Sequence, residues 1–249
     1  MPTDWNAANA ADEYLAAADA LDWLDLGYRL VFDALDLDHP QPGPVLDYGC
    51  GPGQVARYVA DTYGHQVIAV DVAPAMLDQA AAHPHPLVRL HRVTDQALPF
   101  LADGTVAAAL SCFVFVEQAH RSTQVAISRE VRRVLRPGGR FAVLTTHPDS
   151  AGIPFSYFQF GEPGRSYQPG DAMTTRITTA QGSLVLQDYF WPVEVYRSAL
   201  TEAGFVDVSC QAPVPPHPAL GRETTPHPPV LLVTGTAPGP AAPGDPNTH

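Results

Sequence analysis

The chain has 249 residues, enough to bury a full core in one domain, and only 16% of them are charged, for a formal net charge of -12 at pH 7. Such an acidic chain repels rather than steers in a nucleic acid. Its 3 cysteines lie far apart without a C-x-x-C pair, which argues against a disulfide framework or structural zinc, and no apolar run nears membrane-spanning length.

Residues 1–38 are acidic and Ala/Leu-rich. Leu15, Leu21, Leu24, Leu30, Val31 and Leu35 recur at roughly helical spacing, which predicts two helices with a break near Gly27. The aromatic members Trp5, Tyr14, Trp23 and Tyr28 are expected to pack these helices onto the body. His39-Pro40-Gln41-Pro42-Gly43-Pro44 cannot be helical and leads into the first strand.

The stretch Val45-Leu46-Asp47-Tyr48-Gly49-Cys50-Gly51-Pro52-Gly53 carries the strongest signal in the chain. An apolar run ends in an acid, glycines then occupy every second position, and Val55, Val59 and Ala60 follow at helical spacing. This reads as strand, tight turn and helix. Glycine there lets bare backbone approach a ligand, and the helix start adds free N–H groups and partial positive charge, so the ligand has an anionic or carboxylate end. A dinucleotide fingerprint, G-x-G-x-x-G, would need its third glycine where Gln54 stands. A nicotinamide cofactor is therefore disfavoured.

With Asp47 two residues before the first glycine and Asp71 ending the next strand, the run resembles the first two motifs of the class I S-adenosylmethionine-dependent methyltransferases. The resemblance implies S-adenosylmethionine, or S-adenosylhomocysteine, as cofactor. It places Gly49, Gly51 and Gly53 against the amino-acid end and Asp71 on the ribose hydroxyls. It also implies that Tyr14 covers the methionine end, as an N-terminal aromatic does in many small-molecule members, and that Asp47, Cys50, Val72, Met76, Gln96 and Ser111 belong to the same pocket.

The helix from about Gln54 to Tyr63, a second strand from Gln66 to Val72, and a helix opened by Pro74 and running to Ala82 continue the alternation. Six of the ten histidines directly precede proline, which marks extended or turn backbone, so His83 and His85 are not read as metal ligands. A third strand, Leu87 to Val93, leads to Thr94-Asp95-Gln96-Ala97-Leu98-Pro99-Phe100. This segment resembles the family's stretch beside the adenine, with Asp95 at the matching position; read alone, Asp95 is equally an Asx-type cap on a turn. Val106 to Val116 is one continuous apolar run, as a central parallel strand requires. A helix from about Gln118 to Leu135, the turn Arg136-Pro137-Gly138-Gly139 and a strand from Arg140 to Thr146 follow.

Residues 148–190 break the alternation. Phe155, Tyr157, Phe158, Phe160 and Tyr167 concentrate there, as pocket lining or as a satellite core, and Met173 to Ala180 and Leu184 to Tyr189 predict two strands joined across Gln181-Gly182. A helix from Pro192 to Gly204 and strands Phe205 to Ala212 and Val230 to Thr236 resemble the family's closing elements, with a proline-rich loop between the strands.

The expected fold is therefore α/β: a Rossmann-like three-layer sandwich with a mostly parallel seven-stranded sheet, an antiparallel last strand, an N-terminal helical cap and a cap inserted after strand 5. The divisions are 1–43 for the N-terminal helices, 44–147 for the cofactor-binding core, 148–191 for the inserted substrate cap, 192–237 for the closing helix and hairpin, and 238–249 for a disordered tail. Methyl transfer needs an aligned nucleophile and a place for its proton. Candidates at the sheet edge are His147 after the fifth strand and Glu117 after the fourth, with Asp188 and Tyr157 able to face the cleft from the insertion. The function implied is methylation of a small apolar or aromatic metabolite of bacterial secondary metabolism, by a cytoplasmic monomer or homodimer with no nucleic-acid or membrane partner. Two alternatives stand beside it: the same fold using bound cofactor for cyclisation or rearrangement without transfer, and a non-enzymatic cofactor-binding regulator.

Overall fold

The structure, a computed structural model, describes residues 3–7, 10–20, 27–155, 158–179, 182–213 and 227–239. Trp23, Leu21, Leu24, Tyr157, Gln181, most of the proline-rich loop and the tail from residue 240 lie outside them.

The core is a seven-stranded sheet built from β1 (Val45–Tyr48), β2 (Val67–Asp71), β3 (Val88–Arg92), β4 (Val106–Cys112), β5 (Leu135–Thr146), β9 (Val206–Gln211) and β10 (Val230–Thr236), in the order β3-β2-β1-β4-β5-β10-β9. The first five strands pair in parallel; β10 runs antiparallel to both β5 and β9. The expected fold class is thus the observed one, with the chain's last strand as the antiparallel member. All four residues of β1 and the first six of β4 are buried, which is why these strands read as unbroken apolar runs.

Helices cover both faces. On one side α2 (Arg29–Ala34) and α3 (Gln54–Tyr63) bury Val31, Phe32, Ala56, Val59 and Ala60; on the other α5 (Arg121–Val134) and α6 (Val193–Glu202) bury Ile127, Val131, Tyr196 and Leu200. Each fully buried large side chain contributes roughly 1.5–3 kcal/mol. Gly64, at φ 71°, ends α3 in the left-handed conformation, and Pro74 starts α4 (Pro74–Ala82) where its missing N–H costs nothing.

Two departures from the sequence reading matter for the site. The apolar run expected to continue as strand to Val116 stops at Cys112, because Phe113 takes φ 60° and turns the chain into a short 3-10 helix at Phe115–Glu117. A bulky residue in that region is uncommon and marks a locally forced bend. The insertion forms three strands rather than two: β6 (Phe158–Phe160), β7 (Ala172–Thr179) and β8 (Gly182–Tyr189), antiparallel throughout. Phe155, Phe158 and Phe160 are buried against one another and Tyr167 stacks on Phe190, and all four join the main core cluster with Tyr28, Phe32 and Leu144 rather than forming a separate satellite core. The N-terminal segment and α1 (Ala10–Ala20) bridge this small sheet to the main one: the Gln187 N–H donates to Thr3 Oγ1 at 2.8 Å, and Gln79 on α4 donates to Asp12 at 3.1 Å.

Candidate active site

Strand order reverses between β1 and β4, and ligands of open α/β sheets bind outside the carboxyl ends of the strands at such a switch point. A cavity of about 420 Å³ opens there. Its floor is Asp47, Tyr48, Gly49, Cys50 and Gly51 after β1; one wall is Asp71, Val72 and Met76, another Thr94, Asp95 and Gln96. Phe113, Val114, Glu117 and Gln118 close it from the end of β4, while Trp5, Tyr14 and Tyr28 roof it.

The glycine turn is held by the neighbouring strand. Gly49 N–H and Cys50 N–H both donate to the Val70 carbonyl, at 2.8 and 2.9 Å, and Gly51 N–H donates to Asp71 Oδ2 at 2.7 Å. Asp71 Oδ1 accepts from Ala73 N–H at 2.9 Å. A carboxylate has about four acceptor sites, so both oxygens retain capacity for a ligand. Gly49 sits so close to Val114 that a Cβ would lie 2.2 Å from its Cγ2, whereas a Cβ on Gly51 would meet nothing within 4 Å and would stand in the open cavity.

Asp47 is 2% exposed and its Oδ2 has no hydrogen-bond partner. Burial, reinforced by the nearby charge of Asp71 and countered by the Ala56 N–H, pushes its pKa up to about 7. Opposite it, Glu117 Oε2 accepts from the Trp5 indole N–H at 2.9 Å. Loss of water, then the charges of Asp188 and Asp71, push Glu117 up to about 8 against the opposing Trp5 bond. Asp188 itself is buried behind the wall, bonded to the Thr175 hydroxyl, and raised by burial to about 6. Tyr14 packs edge-on to Trp5, ring centroids 5.8 Å apart, and lies between Met76 of α4 and Leu184 and Leu186 of β8.

Of the residues singled out from sequence, Tyr14, Asp47, Gly49, Cys50, Gly51, Asp71, Val72, Met76, Asp95, Gln96 and Glu117 line this one cavity. Gly53, Ser111 and His147 do not. Gly53 takes φ 75° as the N-cap of α3 and packs against Ala80 of α4. Ser111 is fully buried, its hydroxyl donating to the Tyr48 carbonyl at 2.9 Å and so joining the ends of β1 and β4. The His147 ring turns back on its own chain, its Nδ1 accepting from Asp149 N–H at 3.2 Å, while the His147 backbone N–H donates to the Pro229 carbonyl at 3.1 Å. Burial lowers its pKa below the usual imidazole value, with Asp149 opposing. Among the described insertion residues neither the aromatic group nor Asp188 reaches the cavity; its aromatics are Trp5, Tyr14 and Tyr28 from the N-terminal segment, Tyr48 of β1 and Phe113 after β4, of which the resemblance placed Tyr14 there in advance. The signal available for Phe113 was its place at the carboxyl end of the central strand.

The residues present fit a cofactor of the kind the motifs imply. A bare-backbone cradle faces open space at Gly51, and a buried carboxyl oxygen of Asp47 stands without a partner beside it.

Comparison with known proteins agrees with this reading. A family model described as a methyltransferase domain matches residues 45–139. The chain is 49% identical over 241 residues, 95% of its length and 100% of the other, to an N-demethylindolmycin N-methyltransferase from Streptomyces griseus. It is 33% identical over 68% of each chain to a ubiquinone/menaquinone biosynthesis C-methyltransferase from Desulfotalea psychrophila. Among solved structures, the CcbJ methyltransferase from Streptomyces caelestis superposes with a TM-score of 0.65 at 18% identity, covering 95% of this chain and 100% of that one, a likeness of fold.

Proposed function

This chain belongs to the class I S-adenosylmethionine-dependent methyltransferases, and from that premise we propose that it methylates a nitrogen atom of a small, apolar or aromatic secondary metabolite. The observation that carries the reading is the single cavity in which the glycine turn and Asp71 face a roof of Trp5 and Tyr14 with Glu117 at its end. The choice of nitrogen rests on the full-length likeness to the N-demethylindolmycin N-methyltransferase.

In this reading Gly49, Cys50 and Gly51 cradle the amino-acid end of the cofactor with Asp47 beside it, Asp71 holds the ribose diol, and Asp95 and Gln96 border the base. When bound, S-adenosylmethionine supplies a methyl group on a positively charged sulfur, an electrophile that chiefly requires alignment of the acceptor. Tyr14 and Trp5 exclude water and press a flat acceptor toward the floor. Glu117 holds the acceptor's proton, a role suited to a carboxylate whose pKa lies near the working pH. His147, outside the cavity lining, has no part in this account.

The test is incubation of the purified chain with S-adenosylmethionine and N-demethylindolmycin, followed by mass spectrometry. The expected result is an N-methylated product and S-adenosylhomocysteine in equal amounts. Product formed without S-adenosylhomocysteine would favour cyclisation or rearrangement, and tight cofactor binding with no turnover on a panel of nitrogen acceptors would favour a regulator.

A further inference from the structure

The cavity wall is charged in one sense only. Asp47, Asp71, Asp95 and Glu117 line it, and among the described residues that do so there is no Arg, Lys or His. Asp47 is nearly fully buried, and its Oδ2 has no hydrogen-bond partner. Asp47, Asp71 and Asp95 belong to the cofactor's end, which leaves Glu117 as the charged lining residue at the acceptor's end, where a carboxylate or phosphate would be desolvated against it with no positive side chain to pair it, a cost of several kcal/mol.

The chain also displays what Glu117 binds. Its Oε2 accepts an aromatic N–H, that of the Trp5 indole, at 2.9 Å, and Trp5 arrives from the N-terminal segment rather than from the sheet. Tyr14 from α1, Asp188 from β8 and Asp71 from the end of β2 are the titratable groups that face this carboxylate, and none of them brings a positive charge. The hydrogen bond that Glu117 accepts from Trp5 in this structure thus comes from an N–H on a flat, largely apolar ring.

We propose that Glu117 is the specificity-determining group of the acceptor subsite and selects a planar nitrogen base that presents an N–H, of amidine or aromatic-amine type, the Trp5 indole N–H occupying in this structure the position that the acceptor's N–H takes. Acceptors carrying a carboxylate at that end are rejected. This rests on the methyltransferase reading for the identity of the cavity, but it concerns recognition and can be tested without turnover.

The probes are benzamidine, benzamide and benzoate, which share a ring and differ in carrying a cationic N–H donor, a neutral one, and an anion with no donor. Their affinities for the full chain, loaded with S-adenosylhomocysteine, are measured by calorimetry at pH 7 and pH 9. At pH 9 benzamidine should bind at least about tenfold more tightly than benzoate, with benzamide between. Because a cation requires the ionised carboxylate, and Glu117 titrates at about 8, benzamidine should weaken by about tenfold between pH 9 and pH 7. In Glu117→Gln both the preference and the pH dependence should vanish. Benzoate binding as well as benzamidine, or an unchanged preference in Glu117→Gln, overturns the proposal. Should Glu117→Gln fail to fold, Trp5→Phe serves instead: it keeps the ring and removes the competing donor, so benzamidine should bind at least as tightly as in the wild type, and weaker binding counts against the shared position. Failure of methyl transfer to N-demethylindolmycin with these binding results intact would sink the methyltransferase substrate reading and leave the recognition claim standing.

Discussion

Gly51 N–H points at Asp71 Oδ2 from 2.7 Å, so the turn after β1 is fastened to the last residue of β2. The acid that the motif assigns to the ribose therefore also shapes the cradle. Asp71→Asn keeps the size of the side chain but sets an amide donor or a weaker neutral acceptor against two backbone donors. Bonds to a charged group contribute roughly 1.5–3 kcal/mol each, so S-adenosylmethionine should bind tenfold to several hundredfold more weakly, with a modest fall in melting temperature. Calorimetry on the purified variant decides it. Wild-type affinity would remove the ribose role.

Gly49 and Gly51 separate folding from binding. A Cβ at Gly49 would stand 2.2 Å from Val114, at φ 80°, so Gly49→Ala should lower the melting temperature sharply. At Gly51 the φ is 50° and no atom lies within 4 Å of a Cβ. Gly51→Ala should cost only about 1–2 kcal/mol of left-handed strain, yet lose most cofactor affinity because the methyl occupies the ligand's space. A folded Gly51→Ala that binds the cofactor normally would show that the cradle lies elsewhere.

The glycine turn, Asp71 and the α/β order could be read from sequence because each is a local constraint: a period of apolar residues, a required φ, a proline at a helix start. Three features could not. The break at Phe113 sits inside an apolar run whose composition does not change, and it brings Val114 against Gly49, a contact distant in sequence. The three-residue β6 is too short for alternation to reveal. The resemblance placed Tyr14 in the cavity, but that Trp5 and Tyr28 join it while the insertion's described aromatics do not depended on which segment crosses the mouth. That is settled by contacts far apart in sequence, such as Trp5 with Glu117 and Thr3 with Gln187.

Asp47 should make the cofactor-free protein less stable as pH rises. Its pKa is about 7 in the fold against an ordinary 3.8, so the folded state binds more protons than the unfolded one between those values. Stability from this group is complete below about pH 4 and is lost as pH rises toward 7, at up to about 1.4 kcal/mol per pH unit. Asp47→Asn removes that dependence and should be the more stable form above pH 7. Thermal melts of both forms from pH 5 to 8, without cofactor, test it; parallel curves would mean that Asp47 is not a strained buried acid.

His147 follows the fifth strand, where a general base could stand, yet its ring caps the turn at Pro148–Ser150 and is missing from the cavity lining. Burial holds its pKa below 6.5, so it is neutral at pH 7, and its cost to the fold appears only as pH falls and the ring must charge. His147→Ala should therefore lose about 0.5–2 kcal/mol of stability through the missing cap. It should leave cofactor affinity unchanged and kcat within a few-fold of wild type. If Glu117 takes the proton, the rate should instead rise through an apparent pKa near 8, in wild type and His147→Ala alike, because loss of water and the charge of Asp188 set that value. Glu117→Gln should flatten this limb and lower kcat by about 10²–10⁴. A fall of a hundredfold or more in His147→Ala, with cofactor binding intact and the limb shifted toward imidazole, would return the proton to His147 and require the loop at Pro229 to open before transfer.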